Sequence, residues 1–482
     1  MNKQTFIDNL IDNYYAVYSK LLVFQLKEAG FSNRKYVDPT EIISICNISI
    51  NCIINTFEAI VTNLLTSFND VKEFIHIYSQ FSNPTEKKQI TFRQACRYII
   101  YLLPKLKLSS KPTSNSNEYN MNELCKLITL SKLLQSFIQA KAIQVIESSS
   151  CVSISIDSFV IIEYTSERIN TINNAVYNSC QPIHKNYSSE EKLNSLLSII
   201  DKISPAISII FDYTSQLVNK RADIFEITRE IQNCNNDPIV SGLLYSSENV
   251  NLSEAIHSPN NTFYRTRFRP FLQLNIDGKI HYYSTTWMIM EAFDEITTNL
   301  IPYGELPKGW EKVHELKLFC NSSKSELGKS FEDEVFKIIN PRYMVNRNIS
   351  GFHNISLKKE SVPGTTRKVG EIDFILIDYK RKVVYVIDAK CTKTKFYFQT
   401  FNKDKSTFKN YSVKLNDKVQ WVSLHKSEVG KYFKMTNIED YSVKGIFVTN
   451  SLIYYSFFSE FPIIPLDKLI KFIETSDRMC VV

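Results

Sequence analysis

Two short apolar stretches carry an unusual set of charges. Asp373 lies in GEIDFILI, two residues after Glu371, and Asp388 and Lys390 close the run VVYVIDAK. Residues i and i+2 of a strand share a face, so Asp388 and Lys390 project together, as do Glu371 and Asp373. If the two runs pair as a hairpin, Asp373 comes beside Asp388. Carboxylates and an ammonium at the ends of apolar strands are costly unless they are paired or used. The chemistry that uses them is metal-assisted phosphodiester hydrolysis. Mg²⁺ takes oxygen ligands, commonly one or two carboxylates with waters and substrate phosphate. Asp373 and Asp388 are the candidate ligands, the Ala389 carbonyl is the candidate third, and Glu332 on the preceding helix completes the shell or holds a second ion. Mn²⁺ is the expected substitute. A bound ion would polarise the scissile phosphate and ease deprotonation of a water. Lys390 would orient or activate that water and stabilise developing charge. The plainer reading of Asp388 and Lys390 in isolation is a surface ion pair, worth about 0–1 kcal/mol.

The order of the surrounding elements argues against that plainer reading. SKSELGKSFEDEVFKIIN has a helical pattern. RYMVNRNI reads as a strand, followed by the basic loop SLKKESVPGTTRK. EIDFILI and KRKVVYVIDAK are strands joined by a tight turn at Asp378-Tyr379-Lys380. A long helix is expected at about 412–432, then the strand KGIFVTNS, then a strand and helix in FPIIPLDKLIKFIETS. FILI and VVYVI are near-continuous apolar runs, the pattern of central strands covered on both faces.

Three motifs in this order, GxxFExxV (Gly328, Phe331, Glu332, Val335), GEID (Gly370 to Asp373) and IDAK (Ile387 to Lys390), resemble the PD-(D/E)xK nuclease superfamily. The resemblance covers about residues 324–475. It implies the αβββαβ core of restriction-endonuclease-like enzymes and Mg²⁺-dependent endonuclease activity. Carried over, the helix glutamate is Glu332, the first strand acid is Asp373 and the D-x-K tripeptide is Asp388-Ala389-Lys390. Gln420, in KLNDKVQWV, matches a glutamine that some members place beside the active site. Ile372 stands where the usual proline precedes the first acid. Asp333 and Glu334 compete with Glu332, and the spacing from Phe331 and Val335 favours Glu332.

Charge adds a substrate class. Residues 321–482 hold 27 Lys+Arg against 18 Asp+Glu, whereas residues 1–320 hold 30 against 32. The basic excess therefore lies in the last third, the footprint of a polyanion binder, or of a solvated lysine-rich surface. Lys358, Lys359, Arg367 and Lys368 precede Asp373 and are candidate nucleic-acid contacts, as are Lys393 and Lys395. From 391 to 421 lysines alternate with aromatics such as Phe401, Phe408 and Tyr411, which suits either stacking on bases or an ordinary core with a solvated rim.

The rest of the chain resembles no known family. Residues 1–235 read as mostly helical: Phe6, Leu10, Tyr14, Val17 and Leu21 recur at spacings of three and four. SCVSISIDSFVIIEY alternates as a strand pair would. Residues 236–320 form a connecting segment in which Asp277-Gly278 marks a hairpin. Arg265, Arg267 and Arg269 would share one face of a strand, to track phosphates or to pair with acids. The expected architecture is thus α+β and multidomain: a helical region (1–235), a hairpin-containing segment (236–320) and a nuclease-like α/β domain (321–482). Eleven glycines in 482 residues fit a helix-rich body. Ten scattered cysteines without a CxxC pair point to free thiols and away from structural zinc. No phosphate-binding glycine loop or G-x-S-x-G is present, which disfavours an ATPase and a serine hydrolase. Neither a membrane span nor a secretory signal is expected, so the location expected is cytoplasmic. The expected partners are DNA, with RNA left open, a second copy of the chain, and a protein partner through the helical region. Restriction or anti-phage defence is the expected setting, by analogy alone. The rival expectation is a nucleic-acid-binding or protein-interaction module whose nuclease fold has fallen out of use.

Overall fold

In the computed structural model the described residues are 3–31, 38–79, 87–111, 117–146, 152–164, 171–172, 175–176, 189–216, 223–234, 237–253, 266–393 and 401–475. The fold is mixed α/β, mostly helical, and the described strands form two five-stranded sheets and two two-stranded ribbons. The chain divides into two compact units, residues 1–167 with 188–321, and residues 168–187 with 322–482.

The first unit opens with helices α1 (Lys3–Glu28), α2 (Ile42–Leu64), α3 (Phe68–Ser79), α4 (Lys87–Leu102) and, after the short strand β1 (Lys107–Leu108), α5 (Asn117–Ile146). The buried face of α2 runs Ile42, Ile45, Ser49, Ile53, Phe57, Val61, the three-and-four spacing of an amphipathic helix, and α2 packs on α5. By length and composition α2 is apolar enough to cross a membrane. Reading for an unbroken apolar run misses it because Asn47, Asn51 and Asn55 interrupt the sequence. The alternating stretch after α5 pairs as β2 (Val152–Ile156) and β3 (Val160–Tyr164), antiparallel.

Residues 236–320 fold within this same unit. Helices α6 (Ser189–Ile203) and α7 (Pro205–Gln216) precede β4 (Phe225–Glu226), the short helices α8 (Thr228–Gln232) and α9 (Pro238–Leu243), and β5 (Leu244–Tyr245). The hairpin β6 (Phe271–Ile276) and β7 (Lys279–Ser284) then leads into α10 (Thr286–Asn299). Strands β1 and β5 add in parallel to β6, and β4 adds to β7, so segments far apart in sequence complete one sheet. At the turn Asp277 (φ 47) and Gly278 (φ 81) both take left-handed conformations, the geometry the right-handed strand twist favours. The arginine face does not form. Residues 266–268 make a 3₁₀ turn, and β6 starts only after Pro270, so no two-residue alternation reaches back to Arg267 and Arg269. Arg269 is buried and donates to the carbonyls of Ser241 (3.1 Å) and Leu244 (2.8 Å). Arg267 lies 3.5 Å from Glu295, and Arg265 is outside the described residues. Trp310 anchors the core here: its Nε1 donates to the Ile239 carbonyl (3.1 Å), and a Cβ at Gly242 would fall 2.4 Å from its ring.

Among the described residues, the second unit holds one five-stranded mixed sheet in the order β14-β13-β12-β11-β8. Helix α11 (His314–Ile339) starts about ten residues earlier than its sequence pattern suggests, and its residues from 322 onward belong to this unit. It leads to β8 (Met344–Ile349) and then to a ribbon of β9 (Gly351–Phe352) and β10 (Ile355–Ser356). Next come β11 (Ile372–Asp378) and β12 (Val383–Lys390). Helices α12 (Phe401–Leu424) and α13 (Lys426–Tyr432) follow, then β13 (Ser442–Thr449), β14 (Ile463–Pro465) and α14 (Leu469–Thr475). Strands β8, β11 and β12 are antiparallel, whereas β12, β13 and β14 run parallel. In β12 every residue from Val383 to Ala389 is buried, as expected of a strand paired on both edges and covered on both faces.

Helix α12 is fixed at two places, one against the sheet and one against the β9–β10 ribbon. A Cβ at Gly445 of β13 would fall 2.9 Å from Val419 and 3.1 Å from Leu415, so the missing side chain lets the helix lie close. Farther along, Trp421 stacks on Phe352 of the ribbon (5.9 Å between ring centres) and on His425 (4.3 Å). These contacts set the depth of the helical turn that carries residue 418.

Candidate functional site

The β11–β12 hairpin places the acids. Asp378 accepts from the backbone N–H of Lys380 and Arg381 (3.1 Å each) and so shapes the turn. The register from that turn pairs Asp378 with Val383 and Phe374 with Ile387. One residue further along, Asp373 faces Asp388. Asp373 Oδ2 also accepts the backbone N–H of Ala389 at 2.9 Å, which locks its carboxylate across the strand end.

Two ammonium groups meet these two carboxylates. Lys390 Nζ lies 3.1 Å from Asp388 Oδ2 and 3.6 Å from Asp373 Oδ2, and it donates to the Ala389 carbonyl at 3.1 Å. It also lies 5.5 Å from the centre of the Tyr411 ring. The second ammonium, Lys418, comes from α12 and did not emerge from the sequence. Its Nζ donates to Asp388 Oδ1 at 2.7 Å and lies 3.9 Å from Asp373 Oδ1. The Lys418 side chain is 9% exposed and that of Asp388 4%, so the contact is made away from bulk water.

This environment separates the two acids. Burial opposes ionisation of Asp388, but Lys390 and Lys418, with their hydrogen bonds, outweigh it and hold its carboxyl below the usual range. For Asp373 burial and then the neighbouring Asp388 prevail over the two lysines and the Ala389 N–H, and its pKa is pushed up to about 7. Burial alone would pull Lys390 down; Asp388 and Asp373 reverse this and raise it. Pairs of titratable groups pushed apart in this way mark candidate functional sites.

The other expected residues divide. Glu332 is half-buried; burial raises its pKa, with Lys390 and Arg347 opposing and Glu371 and Asp333 adding to the rise. That places Glu332 within the electrostatic reach of Lys390. Among the described residues, however, no three His, Cys, Asp or Glu side chains come close enough to hold a metal together, so a three-carboxylate shell with Glu332 does not form. Its competitor Asp333 is engaged by Arg347 at 2.6 Å. Gln420 is exposed. At 100° per residue it points to the opposite side of α12 from Lys418, so the helix delivers the lysine and not the glutamine.

Of the basic residues before Asp373, Lys358 and Lys359 are exposed, and Lys358 lies 3.5 Å from Glu371. Lys368 donates to Ser361 Oγ at 2.8 Å. Arg367 donates to Asp417 Oδ1 at 2.8 Å, tying this loop to α12 beside Lys418. Lys393 is partly buried, and Lys395 lies outside the described residues. Phe401 and Phe408 are core, packed on Tyr455, Phe458 and Phe447, so these two rings do not stack on bases.

The donor chemistry fits a hard divalent cation: two carboxylates and one carbonyl, all oxygen, converge where two strands end. Asp388 Oδ1, Asp388 Oδ2 and the Ala389 carbonyl are engaged by ammonium groups in this arrangement. A scan of protein-family models, a search of curated proteins and a search of solved structures found no match to this chain.

Proposed function

We propose that the second unit is a divalent-metal-dependent nuclease of the restriction-endonuclease-like kind, acting on DNA. The observation that carries this reading is the opposition of Asp373 and Asp388 across two strand ends, with Lys390 between them on the same face. The motif resemblance of Glu332, Asp373 and Asp388-Ala389-Lys390 supports it, as does the succession of helix, strands and helix about them.

Asp373 and Asp388, with the Ala389 carbonyl, would hold Mg²⁺, which when bound supplies a Lewis acid for the phosphate and an acidified water. Asp388 is kept ionised by its lysines and is therefore ready to act as a ligand. Asp373, raised by burial, exchanges its proton near neutral pH. Lys390 projects from the same strand end and is held by Asp388, a position from which it orients a water and stabilises negative charge on the transferred phosphoryl group. The Tyr411 ring lies 5.5 Å from the same ammonium. Lys358, Lys359 and Lys368, in the loop before Asp373, would neutralise backbone phosphates. A role in anti-phage restriction remains an analogy.

The test is digestion of plasmid and linear DNA with Mg²⁺ or Mn²⁺, comparing wild type with Asp388→Ala and Lys390→Ala. Mutants that cut as well as wild type would refute the assignment. One observation favours a second reading, a nucleic-acid-binding module without catalysis: among the described residues no third carboxylate completes the metal group. In that case DNA retention persists, and neither Mg²⁺ nor Mn²⁺ produces cleavage in wild type.

A further inference from the structure

Lys418 is the feature that neither the motif pattern nor the proposed chemistry accounts for. A D-x-K site needs one lysine, and Lys390 supplies it. The second ammonium comes from a separate helix and lies between the two carboxylates, 2.7 Å from Asp388 Oδ1 and 3.9 Å from Asp373 Oδ1. The other oxygens have other partners: Asp373 Oδ2 takes the Ala389 N–H, and Asp388 Oδ2 takes Lys390. The Oδ1 atoms are thus the pair that could together receive a cation, and a cation is already between them. Burying a lysine is costly unless its charge is met, and here the two acids meet it.

We infer that Lys418 is a built-in competitor for the divalent ion, resting in the cation seat of the metal-free protein and leaving it when the ion enters. This inference rests on the reading of Asp373 and Asp388 as metal ligands. Its physical basis is charge balance. With both acids ionised, as metal ligation requires, two carboxylates facing two ammoniums form a neutral set, and a divalent ion added without displacement would leave an excess of two positive charges in a buried place. Displacement of Lys418 toward solvent removes one of them and frees both Oδ1 atoms. The residue therefore sets a threshold: metal occupies the site only where its free concentration overcomes the internal ammonium. Depth of the helix matters to this competition, since Gly445 lets α12 approach closely enough for the side chain to reach.

The experiment measures Mn²⁺ binding to the full chain without nucleic acid, by loss of the free-ion electron paramagnetic resonance signal. Wild type, Lys418→Gln and Asp388→Asn are compared. Removing a positive charge beside the site should tighten Mn²⁺ binding of Lys418→Gln by about tenfold or more, and Asp388→Asn should lose binding. If wild type binds Mn²⁺ and folded Lys418→Gln binds it no tighter, the competitor role is overturned while the metal site stands. If neither wild type nor Lys418→Gln binds Mn²⁺, the metal reading itself is overturned, and the inference with it. A measurement on wild type alone covers the case in which the variant does not fold. Acetylation of Lys418, followed by peptide mass spectrometry, should rise severalfold on adding Mn²⁺, with the exposed Lys403 and Lys409 as internal references. Unchanged or reduced labelling of Lys418 under conditions where Mn²⁺ binds overturns the inference.

Discussion

Both units bury charge, and they do it in opposite ways. In the first unit, Arg269 is 3% exposed and donates to the main-chain carbonyls of Ser241 and Leu244. Those hydrogen bonds tie α9 and β5 to the start of β6, so the charge serves as a structural cross-link. In the second unit, Asp373, Asp388, Lys390 and Lys418 crowd one strand end, and side chains answer side chains. A cross-link needs only enough partners to offset desolvation. A cluster in which one acid is driven up and its neighbour down goes beyond that need, and such division of protonation states is what acid–base and metal chemistry uses. The contrast separates a buried charge that holds a fold from a set of charges arranged as the proposed chemistry requires.

The largest expected effect is on cleavage. Asp388→Ala and Lys390→Ala should each lower the rate by about 10²–10³-fold or more. DNA retention should persist and weaken steeply with salt. Arg269→Met is the counterpart: it should lower thermal stability and leave the cleavage rate per folded molecule unchanged. If the folded Arg269→Met protein loses cleavage, the contrast fails. Next in size is the core of the first unit, where Trp310→Ala should cost about 3–5 kcal/mol in denaturant unfolding. Gly242→Ala, forced against the Trp310 ring, should cost about 1–3 kcal/mol.

A smaller effect follows from Asp373. Its folded pKa, about 7, lies above the ordinary 3.8, so its contribution to stability is fully present below about pH 4 and is lost as pH rises through 7. In thermal melts without metal, wild type should therefore lose stability between about pH 4 and 7 relative to Asp373→Asn. Mg²⁺, by binding the ionised form, should reduce that loss. A difference between the two proteins that is flat with pH would remove the raised carboxyl from the comparison. The smallest effect is at Gln420: Gln420→Ala should alter stability by less than about 0.5 kcal/mol and leave cleavage unchanged, because the residue faces away from the cluster.

Much of the second unit was legible because its strands are long, apolar and close in sequence. EIDFILI and VVYVIDAK announce a hairpin, and two-residue periodicity then brings Asp373 to Asp388 and puts Lys390 on the same face. Lys418 was not legible in this way. It follows Lys390 by 28 positions and sits among Lys403, Lys405, Lys409 and Lys414 on a lysine-rich helix. Its one signal is phase: Tyr411, Leu415, Lys418 and Val422 follow the three-and-four spacing of a buried stripe, and a lysine stands where an apolar residue belongs. In the first unit, the pairing of β1 with β6 joins segments more than 160 residues apart through two residues each, too little periodicity to register. The spacing of Arg267 and Arg269 is deceptive for a related reason: both precede Pro270, and the strand that would carry their alternation begins only at Phe271.

Gly445 gives the architecture a quiet means of adjustment. It bears no charge and no chemistry of its own, yet the bulk at that position decides how far a neighbouring helix stands from the sheet. Exchanging one hydrogen for a methyl group would lengthen the reach required of Lys418 without altering any charged residue. Drift at such a position could retune the balance between resting and loaded protein while every recognisable motif stayed intact.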